Sequence, residues 1–334
     1  MTFRRLDALR KRVSRLNRTS TPAFKLPAFA KINWSLRILG RRLDGYHEIR
    51  TILQAVSLHD ELHFAARDDS EMLLSCDEPA IPVNDANLIL RAAVALRDRF
   101  EVHRGATIHL AKRIPAMGGL GGASSNAAIA LLGLAHLWNL DLDSAQLLEI
   151  GATLGADVPF FLVGGCALAT GIGTEVSTID GPPTKHLLVV TPESKVATAD
   201  AYKVFSAPAL TSAEHDSILA GSCAEKDFAG LDQSRLHNDF EPVIFAMKPE
   251  IKRVKEALLR SGAFGALLAG SGSSVFGIFE NKQAQERAAR KIQTEAGWQI
   301  FRCVTLSRDE YRRALGSCGA PLLRSVNLES DTGA

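Results

Sequence analysis

Four glycines crowd into five positions, Gly118-Gly119-Leu120-Gly121-Gly122, and this cluster constrains the chain more than any other segment. The alternating segment Ala106 to Ala111 reads as the strand that enters it, and an Ala/Leu-rich run over 124–138 as the helix that leaves it. Without Cβ atoms the backbone can turn tightly there and approach a ligand closely. The free N–H groups of the loop and of the first helical turn then converge, and their partial positive charge suits a polyphosphate. Ser124 and Ser125 add hydroxyls at the helix start, able to cap it or to contact phosphate and its Mg2+. Two better-known phosphate loops are excluded. There is no GxxxxGK followed by Ser or Thr. Gly119-Leu120-Gly121 is followed by Ser124 where a dinucleotide fingerprint takes Gly or Ala, and no ribose-binding acid ends a following strand. On this segment alone, an ordinary glycine-rich turn stays open as the alternative.

The rest of the chain narrows the class. Its 334 residues make one large domain or two of ordinary size. With 46% apolar and 23% charged residues, the composition is that of a globular protein. A net charge of +2 gives no field that points to nucleic acid or an acidic membrane. Cys76, Cys166, Cys223, Cys303 and Cys318 are odd in number and lack CxxC spacing, which argues against a disulfide framework or zinc site and fits a reducing compartment, hence a cytoplasmic location. No apolar run reaches the roughly 20 residues of a membrane span. Residues 1–25 carry seven Arg and Lys before position 19 against Asp7 alone, a basic extension that serves either as a surface segment or as a targeting leader.

Strands are expected at Ala28–Ile38, Ile52–Val56 and Leu62–Ala65, with a turn over Gly40–Gly45. Asn87 caps a helix over Leu88–Phe100, and Asp143 or Ser144 starts another that runs to Leu154. Gly181-Pro182-Pro183 marks a domain boundary. Beyond it come a buried-type strand at Leu187–Val190, a long amphipathic helix over Glu241–Ser261, and short strands at Phe264–Ala269 and Val275–Phe279. Helix over Lys282–Ala296, strand over Gln299–Leu306 and a last helix over Asp309–Leu315 follow. Strands and helices mix without strict alternation, so the fold class is α+β in two domains, 26–183 and 184–316, with a loose tail over 317–334.

Three segments, in order, resemble the motifs of the GHMP kinases. The first is Ala28-Phe29-Ala30-Lys31-Ile32-Asn33. The second is Pro115-Ala116-Met117-Gly118-Gly119-Leu120-Gly121-Gly122-Ala123-Ser124-Ser125. The third is the Gly/Ser turn within Leu268-Ala269-Gly270-Ser271-Gly272-Ser273-Ser274-Val275. The resemblance covers residues 26–315 and implies a ribosomal-protein-S5-like N-terminal domain, a ferredoxin-like C-terminal domain, ATP as phosphoryl donor, and Mg2+ carried in with it. The second motif would bind the ATP phosphates, and the turn at Gly270, Ser271, Gly272 and Ser273 would buttress it. Ala116 and Ala123 stand where the family often has glycine, which narrows the loop's conformational range.

Asp44-Gly45-Tyr46-His47-Glu48, Gly155-Ala156-Asp157-Val158-Pro159 and Asn238-Asp239-Phe240-Glu241-Pro242 resemble one branch of that family. It phosphorylates the 2-hydroxyl of 4-diphosphocytidyl-2-C-methyl-D-erythritol in non-mevalonate isoprenoid precursor synthesis. The resemblance implies that Asp157 is the general base and that Lys31 pairs with it and offsets phosphoryl charge. Asn33 and Thr198 would touch the substrate. Tyr46 and His47 would hold the cytosine by stacking and hydrogen bonding, with Tyr202 on its other face. The implied partner is thus a small molecule bearing a cytidine diphosphate group, taken up by a monomer or weak homodimer, with no nucleic acid and no membrane. Homoserine- or mevalonate-type kinases, and a non-catalytic ATP sensor, are the alternatives. Without the resemblance, Asp157 is a helix cap and Lys31 a snorkelling edge lysine. His59-Asp60-Glu61-Leu62-His63 is not a zinc helix, because it lies where a turn enters a strand, and its HDEL is not C-terminal. No protein-held metal is expected. A chain lacking residues 1–22 is expected to unfold at the temperature of the full chain in a thermal melt; loss of most of its stability would mean that the leader packs into the structure.

Overall fold

The computed structural model describes residues 23–205, 230–292 and 297–323. It opens on two long antiparallel strands, β1 (Phe24–Arg41) and β2 (His47–Arg67), then β3 (Met72–Cys76), α1 (Leu88–Phe100), β4 (Gly105–Ala111) and α2 (Gly122–Trp138). Next come α3 (Ser144–Leu154), the short α4 (Val158–Val163), β5 (Cys166–Thr170), β6 (Glu175–Thr178), β7 (His186–Thr191) and α5 (Thr198–Val204). The last part holds β8 (His237–Asn238), α6 (Glu241–Met247), α7 (Pro249–Arg260), β9 (Gly265–Leu268), β10 (Val275–Phe279), α8 (Lys282–Ile292), β11 (Gln299–Val304) and α9 (Arg308–Leu315).

The strands make two sheets. Seven strands form the first, in the path β3-β4-β2-β1-β8 with β5 and β6 attached through β2. The second is an antiparallel β11-β7-β10-β9. The two sheets face each other. Ala30, Ile32, Trp34, Ile52 and Val56 of the first pack with Leu187, Val189, Phe276 and Ile278 of the second. Each outer face carries helices. Leu53, Leu62 and Phe64 pack with α1 to α4, while Leu188, Val190 and Leu268 pack with α6, α7 and α8. Alternate residues of β7 thus enter different cores, and this is why Leu187–Val190 is apolar at every position. No helix among the described residues is long and apolar enough to cross a membrane.

Several boundaries differ from the expected ones for physical reasons. The runs at 28–38, 52–56 and 62–65 belong to two continuous strands of 18 and 21 residues. Register shifts at Phe29/Ala30, Asn33/Ser35 and Ile38/Gly40 reset the alternation. Residues 28–34 are buried throughout because both faces are covered. The single helix expected over 241–261 is two, broken at Lys248 (φ −136°, ψ 81°), since Pro249 cannot continue a helix but starts one well. Strand β1 begins at Phe24, which stacks on Phe64, so the domain starts two residues before position 26; residues 1–22 of the basic extension lie outside the described residues. The tail expected from 317 is not loose at its start. Residues 316–323 form a 3-10 helix, and Cys318 and Leu322 are buried in the N-terminal core; 324–334 lie outside the described residues. Asn87 and Asp143 cap their helices, the latter in a capping box with Gln146.

The C-terminal helix therefore returns to the first domain. Tyr311 of α9 is wholly buried, donates its hydroxyl to the Phe161 carbonyl at 2.6 Å, and lies where a Cβ on Gly164 would overlap its ring. Tyr311→Phe leaves that carbonyl without its partner and is expected to cost about 1–3 kcal/mol in urea unfolding. An unchanged midpoint would contradict this account of how α9 is held.

Candidate active site

The glycine loop lies between β4 and α2 with backbone from both halves of the chain against it. Lys31 donates its N–H to the Leu120 carbonyl at 3.0 Å from β1. From the Gly/Ser turn between β9 and β10, Ser273 and Ser274 donate theirs to the carbonyls of Met117 and Gly118, at 3.2 and 3.1 Å. Glycine is required at two points. Gly119 has φ +73°, and a Cβ there would overlap the Ala269 carbonyl oxygen; Gly121 has φ +71°, and a Cβ would sit 2.7 Å from the Phe161 ring. Gly121 is also the cap position of α2, and no side chain caps this helix start. Ser124 lines the adjoining cavity. Ser125 does not: it is fully buried, and its Oγ has no hydrogen-bond partner among the described residues. Likewise Gly270 and Ser271 line the cavity, whereas Gly272 and Ser273 sit behind them.

The cavity has a volume of about 1240 Å3 and also takes in Lys31, Asn33, Tyr46, His47, Asp157, Thr198 and Tyr202. Lys31 and Asn33 project together because they are two residues apart on a strand. The Lys31 side chain is 5% exposed; its Nζ donates to Asn33 Oδ1 at 3.0 Å and lies 3.5 Å from Asp157 Oδ2. Asp157 stands at the start of α4 but makes no side-chain cap there, so its carboxylate is left to the cavity, 36% exposed. Asn33 is held on all sides: its Oδ1 also accepts from the Gly270 N–H at 3.0 Å, and its Nδ2 donates to Thr51 Oγ1 at 2.8 Å. Two residues that carried no separate signal complete this network. Thr51 donates on to the Ser35 carbonyl, and Asn238 donates to the carbonyls of Leu268 and Gly270. Asn238 lay within a quoted motif; nothing in the sequence marks Thr51.

The aromatic end is arranged differently from the expectation. His47 and Tyr202 stack on each other, centroids 5.0 Å apart and 29° between planes. A base held between them would need two stacking separations, about 7 Å. The two rings are therefore a closed stacked pair here, not the two walls of a slot. Tyr46 is exposed beside them, and Tyr202 is braced edge-on by Phe240 at 4.9 Å. Burial pushes the Tyr202 phenol up to about 12, with the Asp157 charge adding to it, so the hydroxyl stays a proton donor. Burial, and then Arg41, hold the His47 imidazole below its ordinary value, so it is neutral near pH 7. Thr198 Oγ1 pairs with Ser271 Oγ at 2.9 Å at the junction of the two halves.

The histidines of the 59–63 stretch do not meet. His59 bonds the Ser57 carbonyl and packs on Phe29, and His63 pairs with Glu61. Among the described residues no group of three or more His, Cys, Asp or Glu could hold a metal ion.

A helix start stripped of side-chain caps, facing an ammonium and a carboxylate across one cleft, is the equipment of phosphoryl transfer, in which positioning and charge do most of the work. Residues 87–165 match the family model of the GHMP kinases N terminal domain, and 220–297 that of the GHMP kinases C terminal. The chain is 43% identical over 265 residues to a 4-diphosphocytidyl-2-C-methyl-D-erythritol kinase of Chlorobium phaeobacteroides, covering 79% of this chain and 91% of that protein. It is 40% identical over 257 residues to the protein of that name from Alkaliphilus metalliredigens, covering 77% and 88%. A crystal structure of a 4-(cytidine 5'-diphospho)-2C-methyl-D-erythritol kinase superposes with a TM-score of 0.67 at 31% identity, over 85% of this chain and all of that one. The chain belongs to the GHMP kinase family, and its two sheets with their outer helices are the two-domain fold of that family.

The backbone approach at Gly119 can be separated from simple φ strain. Gly45 has φ +88° but open space where its Cβ would go. Gly119→Ala is expected to lose about 1–3 kcal/mol more than Gly45→Ala in parallel denaturant melts, the usual cost of forced overpacking. Equal losses would mean that the Ala269 contact does not constrain the loop.

Proposed function

We propose that this chain transfers the γ-phosphoryl group of ATP to the 2-hydroxyl of 4-diphosphocytidyl-2-C-methyl-D-erythritol, a step of non-mevalonate isoprenoid precursor synthesis. The observation that carries the reading is the Lys31–Asp157 pair, set in one cavity with the glycine loop and with an aromatic face. The names of the relatives supply the substrate.

The chemistry follows from the placement. Asp157 takes the proton of the acceptor hydroxyl as its oxygen bonds to the γ-phosphorus and the bond from that phosphorus to the β–γ bridging oxygen breaks, with ADP leaving. Lys31, held by Asn33, pairs with that carboxylate and counters charge on the transferring group. The N–H groups at the start of α2 and the backbone of residues 115–122 receive the ATP phosphates. The cavity-facing Ser124 fits a phosphate oxygen or the Mg2+ that accompanies it. That ion supplies charge neutralisation of the phosphates when bound and is held mainly through phosphate and water. At the other end, the outer side of the His47–Tyr202 stack offers a surface for a base, the imidazole being neutral, and the exposed Tyr46 is free to close over it. Stacking contributes about 1–3 kcal/mol per base but distinguishes bases poorly, so identity has to be read by hydrogen bonds at the base edge.

Four outcomes are expected, with turnover read in a coupled assay and nucleotide affinity in calorimetry. Asp157→Asn lowers kcat on the order of 10²–10⁴-fold with little change in either KM; near-normal turnover in the folded variant would remove Asp157 from the chemistry. Gly121→Val weakens ATP binding in calorimetry, because its side chain would strike the Phe161 ring and the Lys31 stem and displace the loop that receives the phosphates. Tyr202→Ala raises KM for the cytidine substrate and leaves ATP affinity alone. Wild type should prefer the cytidine compound strongly to free methylerythritol phosphate. Equal use of both would favour a different acceptor and a homoserine- or mevalonate-type kinase.

A further inference from the structure

Asp60 belongs to the His-Asp-Glu-Leu-His stretch, for which the sequence suggested no role. It has no exposed surface, yet its carboxylate is fully engaged. Oδ1 accepts from the backbone N–H groups of Arg113 and Ile114, both at 2.7 Å, and Oδ2 accepts from Lys112 Nζ at 2.8 Å. Those three residues are the whole link between the end of β4 and the glycine loop that starts at Pro115. Lys112 also donates to the Ile114 carbonyl, is nearly buried, and lines the cavity. A Cβ on Gly122, the first residue of α2, would lie 3.1 Å from Ile114 Cγ2 and 3.3 Å from Lys112 Nζ. The residues that Asp60 holds are therefore directly beneath the uncapped helix start.

We propose that Asp60 is a positioning residue of the nucleotide site: through Lys112, Arg113 and Ile114 it sets the place of the glycine loop and fixes the Lys112 ammonium at the mouth of α2. The inference rests on the nucleotide reading given above. An ammonium beside the positive end of a helix is repelled unless negative charge stands close by. Asp60 pairs with that ammonium from the scaffold side, and the phosphates add their charge on binding. An amide cannot replace the carboxylate, because both oxygens face donors and an Asn would turn its NH2 towards one of them.

The test measures ATP affinity by calorimetry, and both KM values and kcat, for wild type, Asp60→Asn and the double variant Asp60→Asn/Lys112→Met. In the double variant the donor that would face the Asn NH2 is gone, so it is the form to use if the single variant does not fold. ATP dissociation constant and KM are expected to rise about tenfold or more, with KM for the acceptor changed by less than about twofold. The inference is overturned if a folded variant binds ATP like wild type while Gly121→Val does not. It is also overturned if both KM values rise together, or if neither variant folds, since Asp60 would then anchor the fold as a whole. Failure of wild type itself to bind ATP would instead overturn the nucleotide reading.

Discussion

The contact on which the site depends is backbone against backbone, where Gly119 meets the Ala269 carbonyl. The first sheet's loop and the second sheet's turn can approach that closely only because Gly119 carries no side chain and has a positive φ. Hydrogen bonds from Ser273 and Ser274 to Met117 and Gly118 then lock the two together. Everything the site needs follows from this closure. It brings Gly270 to the Asn33 side chain, Ser271 to Thr198, and the cavity between the halves to its size.

Charge is placed with similar economy. Lys31 is almost fully buried, a costly position for an ammonium unless it is hydrogen-bonded and paired. Asn33 and Asp157 meet that need unequally: the amide at 3.0 Å is fixed by two further partners, Gly270 and Thr51, while the carboxylate at 3.5 Å remains partly open to the cavity. A fixed amide and a looser carboxylate leave Asp157 able to turn towards a hydroxyl without abandoning the lysine. Lys112 and Asp60 form the tighter counterpart, both buried and 2.8 Å apart, under the loop rather than in the cleft. One pair faces the cavity, the other the scaffold.

Legibility in the sequence tracked the range of the interaction. Helix starts were visible because a cap acts within three residues, as at Asn87 and Asp143. The helix break at Pro249 is also local, encoded in proline's missing N–H, but the amphipathic periodicity runs on across it and masks it. The continuous length of β1 and β2 was not legible, since bulges erase the alternation on which strand reading relies. The aromatic residues were found as a group, but the stacking of His47 on Tyr202 was not, because ring-on-ring geometry depends on where α5 lies relative to the hairpin.

By itself the sequence determined the glycine loop between a strand and a helix and the two-domain α+β class. These follow from periodicity and from the φ freedom of glycine, both local properties, whereas the roles of Lys31 and Asp157 were implied only by the resemblance of their motifs. Only the tertiary structure decided that Ser124 faces the cavity while Ser125 is buried, that Asn33 is tied to Lys31, Thr51 and Gly270, and that the last helix returns to brace Phe161. It also turned Asp60, in a stretch with no evident role, into the anchor of residues 112–114. The partners in these contacts are up to 237 residues apart, as with Asn33 and Gly270, and no local pattern encodes which distant backbone group a buried polar side chain will meet.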